Sequence, residues 1–443
     1  MKQPFFMYKT WVALAWVAAA GTAANAQPPL GLQEAVDRAL AQSHVLRADS
    51  LSAQIAAARL QQQRQGRLPQ AGVQASFFRL SDNITPFRVA FPTGEVVLNP
   101  QILNQSFNQA YVRQLLWAGG AQRLAEQQAS LQTAVQQLLI STRQQDLAYS
   151  TKASWYRLYV ATQSRAILLA NTEALQAQRR VLQQAVNNGV LLPVDVLKID
   201  LELAGLRQML SDADNAMALQ RYELALLTGA ADHTNLQLPA EAPPPPAISA
   251  ALEVLLPQAL RQRADLQSMT LANQQAALAS KQAKAAYLPV VSVGAAYNYD
   301  RPNQRLFPNE ARFTGTWQAG IQLQWRLTDL YQNKPRVQEA RLAERRQQAQ
   351  WQQAQQGVQL ELYAAITELK RADEALQLSQ QQVLIAEENE RLERQRLQAG
   401  TRSSADYVLA SAQLLQARIG RVVAKANLDL AYHLLQKVTH TTR

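Results

Sequence analysis

From Ala121 to Val186 the chain runs without a proline or glycine, and Leu124, Leu131 and Leu138 recur at seven-residue spacing. A helix over that stretch is about 100 Å long at roughly 1.5 Å per residue. No compact domain holds such a rod, so the chain must build on an elongated helical frame. A second long pattern runs from about Arg336 to Gln398, with Leu362, Leu369, Leu376 and Val383 at heptad spacing. Two shorter patterns, 32–66 and 194–228, are about 35 residues each. Placed end to end they match one long helix. That equality predicts a helical cylinder in which each long helix packs against a coaxial pair.

Composition agrees with long polar helices. The 443 residues include 60 glutamines and only 16 glycines, and charged residues at 17% are fewer than usual, so glutamine carries much of the helix polarity. Few glycines argue against a Gly-rich α/β enzyme. Without cysteine the chain has no disulfide framework, zinc ribbon, Cys nucleophile or Fe–S site, and no lipid-modified N-terminal Cys.

Residues 1–26 read as a secretory signal: Lys2 and Lys9 form the basic region, Trp11 to Ala20 the apolar stretch, and Ala24-Asn25-Ala26 the cleavage site. A membrane anchor is the rival reading, but ten apolar residues span only about 15 Å of helix, half a hydrocarbon core. Cleavage before Gln27 removes two lysines and lowers the net charge from +11 to +9. An exported chain is no natural partner for cytoplasmic nucleic acid. Its arginines, as at Arg179-Arg180 and Arg345-Arg346, sit singly or in pairs on Gln-rich faces and read as solvated surface.

The chain pairs with itself. A shift of 220 aligns Ala39-Leu40 with Ala259-Leu260, Leu68-Pro69 with Leu288-Pro289 and Val73 with Val293. Further along, a shift of 211 aligns Gly189 with Gly400, Asp195 with Asp406 and Arg207 with Arg418. The difference falls between about 78 and 105, where the first copy carries a longer loop. The organisation is thus a first repeat over 27–229, a Pro-rich linker over 230–249 containing Pro243 to Pro246, and a second repeat over 250–443.

Each copy reads as helix, strand, loop, strand, very long helix, turn, helix. Strands are predicted at about 70–80, 105–116, 289–299 and 313–327. The last alternates Phe313, Gly315, Trp317, Ala319, Ile321, Leu323 and Trp325 with Thr314, Thr316, Gln318, Gly320, Gln322, Gln324 and Arg326. Tyr297 and Tyr299 end a second alternating run. Tilted by about 45°, the twelve steps from Phe313 to Trp325 cover about 28 Å, close to the apolar band of an outer-membrane barrel. A soluble sandwich with one apolar face is the alternative, but it needs more strands. Four strands close no barrel, since even a filled one takes about eight. Three copies in a ring give twelve strands and no open edge.

Together these features resemble the TolC-like outer-membrane efflux protein family. The resemblance rests on the tandem repeat, the Leu-Pro before each first strand, Leu116-Trp117-Ala118-Gly119-Gly120 at the strand-to-helix junction, and the turns Asn188-Gly189-Val190 through Asp195 and Ala399-Gly400-Thr401-Arg402 through Asp406. It implies an α+β membrane protein: a homotrimer with a transmembrane β-barrel in outer-membrane lipid and a coiled-coil helical tunnel in the periplasm. There it would meet an adaptor protein and an inner-membrane efflux pump or ABC exporter. It also implies a periplasmic gate in which Asp406 forms an acidic ring and Arg402 ties to Asp195. Three converging Asp406 carboxylates would attract cations. Leu397, where the family often has an aromatic, and Leu409, where a second acid often stands, depart from its pattern. Asp195 and Asp406 also suit a plain role as helix-start acids. Phe313, Trp317, Trp325, Tyr297 and Tyr299 are the candidate membrane-interface aromatics.

No reaction chemistry stands out. The four histidines form no His-x-x-x-His pair, and there is no phosphate loop or nucleophile elbow. The sequence predicts no enzyme, cofactor or metal. The competing reading is a periplasmic coiled-coil adaptor without a barrel, which leaves the Trp317 to Trp325 strand unexplained.

Overall fold

The computed structural model describes residues 29–230, 236–243, 251–399 and 401–440. The signal segment, most of the Pro-rich linker and Gly400 lie outside these. In chain order the elements are α1 (Leu32–Gln42), α2 (His44–Gln65), β1 (Gln70–Arg79), β2 (Phe87–Phe91), β3 (Gly94–Asn99), β4 (Asn104–Trp117), α3 (Ala121–Asn187) and α4 (Pro193–Thr228). After the linker come α5 (Leu252–Gln262), α6 (Ala264–Ala285), β5 (Val290–Asp300), β6 (Thr314–Gln324), the short α7 (Asp329–Gln332), α8 (Lys334–Gln398) and α9 (Ser404–Thr439). Shifting α1 and α2 by 220 gives the bounds of α5 and α6, and shifting α4 by 211 gives those of α9.

The 67-residue α3 and 65-residue α8 are continuous, as the absence of proline and glycine from α3 requires. The predicted helix 32–66 is not continuous. Ser43 leaves helical geometry at φ −64°, ψ 115°, and its hydroxyl accepts a hydrogen bond from the Leu46 amide at 3.2 Å, capping α2. Arg263 breaks the second copy at the equivalent place, with φ −64° and ψ 122°. There the guanidinium holds the joint, reaching Asp265 at 2.8 Å and Glu361 at 2.6 Å.

Strands β1, β4, β5 and β6 form one antiparallel sheet in that order. The long first loop, expected from the sequence to be irregular, holds an extra hairpin, β2–β3. Its strands are only five and six residues long, too short for alternation to stand out. The turn from β4 into α3 uses Gly119 and Gly120 at φ 61° and 80°. At Gly119 a Cβ would lie 2.9 Å from the Ala285 carbonyl, so glycine also lets the two copies approach closely.

Helix α3 leaves the sheet packed on α2 and α6, passes α1, and reaches the far end packed on α4; α8 pairs with α6 and then α9. Thus α4 and α6 lie along successive lengths of one long helix. Among the described residues, none of these helices is long and apolar enough to cross a membrane. The mid-length joint is closed by Trp155, which is fully buried, donates from Nε1 to the Leu30 carbonyl at 3.0 Å and stacks on Tyr159 at 5.6 Å. Leu224 from α4 and the linker residues Leu236 and Ala242 pack around it. Trp155→Ala should cost about 3–5 kcal/mol of stability, read from denaturant unfolding; a loss under about 1 kcal/mol would show that this cluster does not hold the joint.

Candidate functional site

The sheet has two chemically distinct faces. Register places Val73, Ala110, Tyr297 and Trp317 on one row across the four strands, and Gln74, Gln109, Asn298 and Thr316 on the next. Because strand side chains alternate, the first row belongs to an apolar face and the second to a polar face. On the apolar face Val73, Phe77, Trp317, Ile321 and Leu323 are all exposed. On the polar face Gln109 donates to Asn298 Oδ1 at 2.9 Å.

The candidate aromatics occupy defined heights on this wall. Phe313 stands just before β6 and stacks on Tyr299 at 5.2 Å. Trp325 stands just after β6 and donates from Nε1 to the Tyr287 carbonyl at 3.1 Å. Strand β6 therefore stops one residue inside each of these aromatics. Tyr297 and Trp317 pair across β5 and β6. A further aromatic was missed: a bulge between Leu115 and Trp117 pairs Trp117 with Val291, turning the indole onto the apolar face at Trp325's end. Its sequence signal was the Leu116-Trp117 junction, but the bulge that aims it leaves no pattern.

At the far end of the rod, two helix-to-helix turns lie side by side. Asp195, in the first turn of α4, is buried and accepts from the Ser404 hydroxyl at 2.7 Å; Ser404 opens α9. This bond keeps the Asp195 carboxyl below its ordinary pKa against the pull of burial, with Lys198 at 3.6 Å helping. Arg402 does not reach Asp195 within the chain. Its nearest acid is Asp406, at 3.8 Å, and Asp406 also accepts from Ser403 Oγ at 3.3 Å. Sequence reasoning also missed the neighbouring trio Glu390, Arg394 and Tyr407. Arg394 Nη2 meets both Glu390 oxygens at 2.6 Å, while burial, reinforced by the Glu390 charge, pushes the Tyr407 phenol up to about 12. Tyr407 and Leu397 join Leu175, Ile199 and Leu206 in the core that binds the two hairpins together.

The fold is shared with solved structures of outer-membrane channels. Residues 255–439 match the outer membrane efflux protein family. Solved structures sharing the fold include CusC, at TM-score 0.77 and 14% identity over 93% of this chain and 92% of that one. Another is the outer membrane protein VceC of Vibrio cholerae, at 0.74 and 17% over 92% and 95%. A third is the open state of the Neisseria gonorrhoeae outer membrane channel MtrE, at 0.73 and 16% over 93% and 89%. No curated protein matches the chain's sequence significantly.

Within the stretch matching the efflux protein family, α9 carries ionisable groups into the joint with α3. Asp429 is buried, facing the Tyr156 hydroxyl, and one of its carboxylate oxygens has no hydrogen-bond partner. Burial pushes this carboxyl up to about 6, against the Lys425 charge and the Tyr156 hydroxyl. One turn on, burial and the Lys152 charge hold His433 below its ordinary pKa, and His433 Nδ1 lies 3.1 Å from Gln436. Among the described residues no group of His, Asp and Glu is placed to hold a metal.

Because the fold binds the Asp429 proton more tightly than the unfolded chain does, this group's contribution to stability is full below pH 4 and is lost as pH rises through about 6. Asp429→Asn should raise the melting temperature over wild type at pH 8, by an amount equivalent to roughly 1–3 kcal/mol, and the gain should vanish by pH 4. His433 titrates in both proteins and drops out of the comparison. A gain independent of pH would sink this assignment.

Proposed function

We propose that the protein is a passive exit duct of the outer membrane, the terminal channel of a tripartite efflux or type I secretion system. One observation carries the reading: a four-stranded sheet, apolar on one face and polar on the other, stands open at both edges on a helical rod about 100 Å long. Three copies, joining β6 of each to β1 of the next, give a closed twelve-stranded barrel. The face with Trp317, Ile321 and Val73 then meets lipid, and the face with Gln109, Asn298 and Thr316 lines water. Phe313, Tyr299, Tyr297 and Trp317 mark one interface and Trp325 with Trp117 the other, where amphipathic rings are favoured.

The same assembly accounts for apolar side chains that the single chain leaves exposed along the rod. Leu197 and Leu201 on α4 are 63% and 76% exposed, and Leu384 and Ile385 on α8 are 67% and 71%. Neighbouring protomers would cover such stripes. The rod then forms a periplasmic tunnel that takes its cargo from an adaptor and an inner-membrane pump. At its tip Asp406, half-buried beside Arg402 and Ser403, would stand near the axis, while the buried Asp195–Ser404 bond holds the two hairpins of each protomer together. An Arg402 to Asp195 tie would join adjacent protomers, since within one protomer Arg402 lies against Asp406. A coiled-coil adaptor without a barrel offers no use for an exposed Trp317 row.

The absence of cysteine makes the assembly testable with introduced ones. Ala75→Cys on β1 combined with Ala319→Cys on β6 should give covalent trimers with a bismaleimide, in a protein that needs detergent to stay monodisperse. A monodisperse monomer in plain buffer would overturn the reading. At the tip, Arg402→Ala with Asp195→Ala should raise single-channel conductance, and Asp406→Ala should weaken block by multivalent cations added on the helix side. Unchanged conductance and block in these variants would remove the gate.

A further inference from the structure

The polar face of the sheet holds a groove of about 510 Å³, lined among others by Gln109, Tyr111, Arg113, Ser292, Gln318 and Gln322. Its floor exists because Arg113 sits on a rung whose next two partners are Gly294 and Gly320. A Cβ on Gly320 would meet nothing within 4 Å, so the wall beside Arg113 is open. Arg113 donates to the Ser292 hydroxyl at 3.3 Å, and among the described residues no carboxylate lies within ion-pair distance of it. A guanidinium carries five N–H donors, so most of its capacity faces the groove.

A second arginine reaches the rim of the groove from outside the sheet, through Gln318. The segment between β5 and β6 folds back over the polar face, where buried Asn303 donates to the Thr314 carbonyl at 3.1 Å. This lays Arg305 against Thr316 Oγ1 at 3.2 Å and Gln318 Oε1 at 3.0 Å. Gln318 belongs to the groove, and its rung is two residues from that of Arg113, about 7 Å along the strand. Acids nearby are engaged elsewhere: Asp82 with Arg79, Glu95 with Arg88, Glu310 with Arg312, and Asp300 with the Asn108 amide.

We propose that Arg113 and Arg305 form an anion-binding groove on the inner wall of the barrel, suited to solutes bearing phosphate or carboxylate groups. The proposal rests on the exit-duct reading, which makes this face the water-filled one and repeats the groove three times around it. Two cationic forks, set about two residues apart along the strand and without acidic partners among the described residues, can each donate paired hydrogen bonds to the oxygens of a polyanion. The neutral rim of Gln109, Gln318 and Gln322 adds donors that do not repel the ligand. The duct therefore carries a binding step for anionic cargo just before exit.

Inorganic tripolyphosphate, added to the barrel side of full-length trimers in a planar bilayer, tests this. It should block the wild-type current, Arg113→Gln with Arg305→Gln should weaken the block at least tenfold, and Arg113→Lys should weaken it less. Gly320→Val, which fills the groove and keeps both charges, should weaken it as well. Conducting double-variant trimers blocked as well as wild type overturn the groove and leave the duct reading standing. Trimers that insert but never conduct overturn the duct reading and the groove with it.

Discussion

Among the described residues no strand pairs with the outer edge of β1 or of β6, and this constraint bears on the rest of the fold. In hydrocarbon an unpaired amide or carbonyl costs several kcal/mol, so a sheet whose apolar face is exposed can enter lipid only after its edges are joined. Four strands cannot curl far enough to join each other. In the proposed trimer, closure by copies of the same chain would satisfy every edge at once and would set how many long helices stand beneath the barrel.

Repetition within the chain serves the same end. Each half of the chain contributes two strands to the four-stranded sheet, one long helix, an interrupted helix (α1–α2, α5–α6) and a further helix (α4, α9), so the proposed ring and the rod would draw on one pattern used twice. The joints have been solved with different chemistry. Ser43 caps its break with a hydroxyl, whereas Arg263 spans the equivalent break with ion pairs to Asp265 and Glu361. Conserved geometry with unlike side chains means that the bend is demanded by packing against α3 and α8, with the local residues adapting to it.

What could be read from the sequence follows from how far each signal extends. Helices α3 and α8 announce themselves because their periodicity persists for over sixty residues, and β5 and β6 because eleven residues alternate cleanly. A break at one residue of ordinary type, such as Ser43, changes two dihedral angles and leaves the apolar spacing nearly intact. The β2–β3 hairpin is too brief to alternate visibly. At the tip, Asp195 and Asp406 stand out by their place in paired turns, but the Ser404 partner lies 209 residues from Asp195 and only packing brings it there. Arg113 has no local signature, since its setting depends on glycines in two other strands.

The rod is a composite of continuous and jointed members. Helix α3 passes the mid-length cluster around Trp155 without interruption, while its neighbours α4 and α6 are separate pieces with the linker between them. A stiff spar backed by a hinged one resists stretching yet yields to twist at the hinge. Rotation of the α4 and α9 ends at the tip can be taken up there as small changes in helix crossing, and the hydrogen-bonded rungs of the barrel need not shear. In the proposed duct, the length of the protein would thus serve as mechanical insulation as well as reach, leaving the tip free to move while the barrel stays sealed.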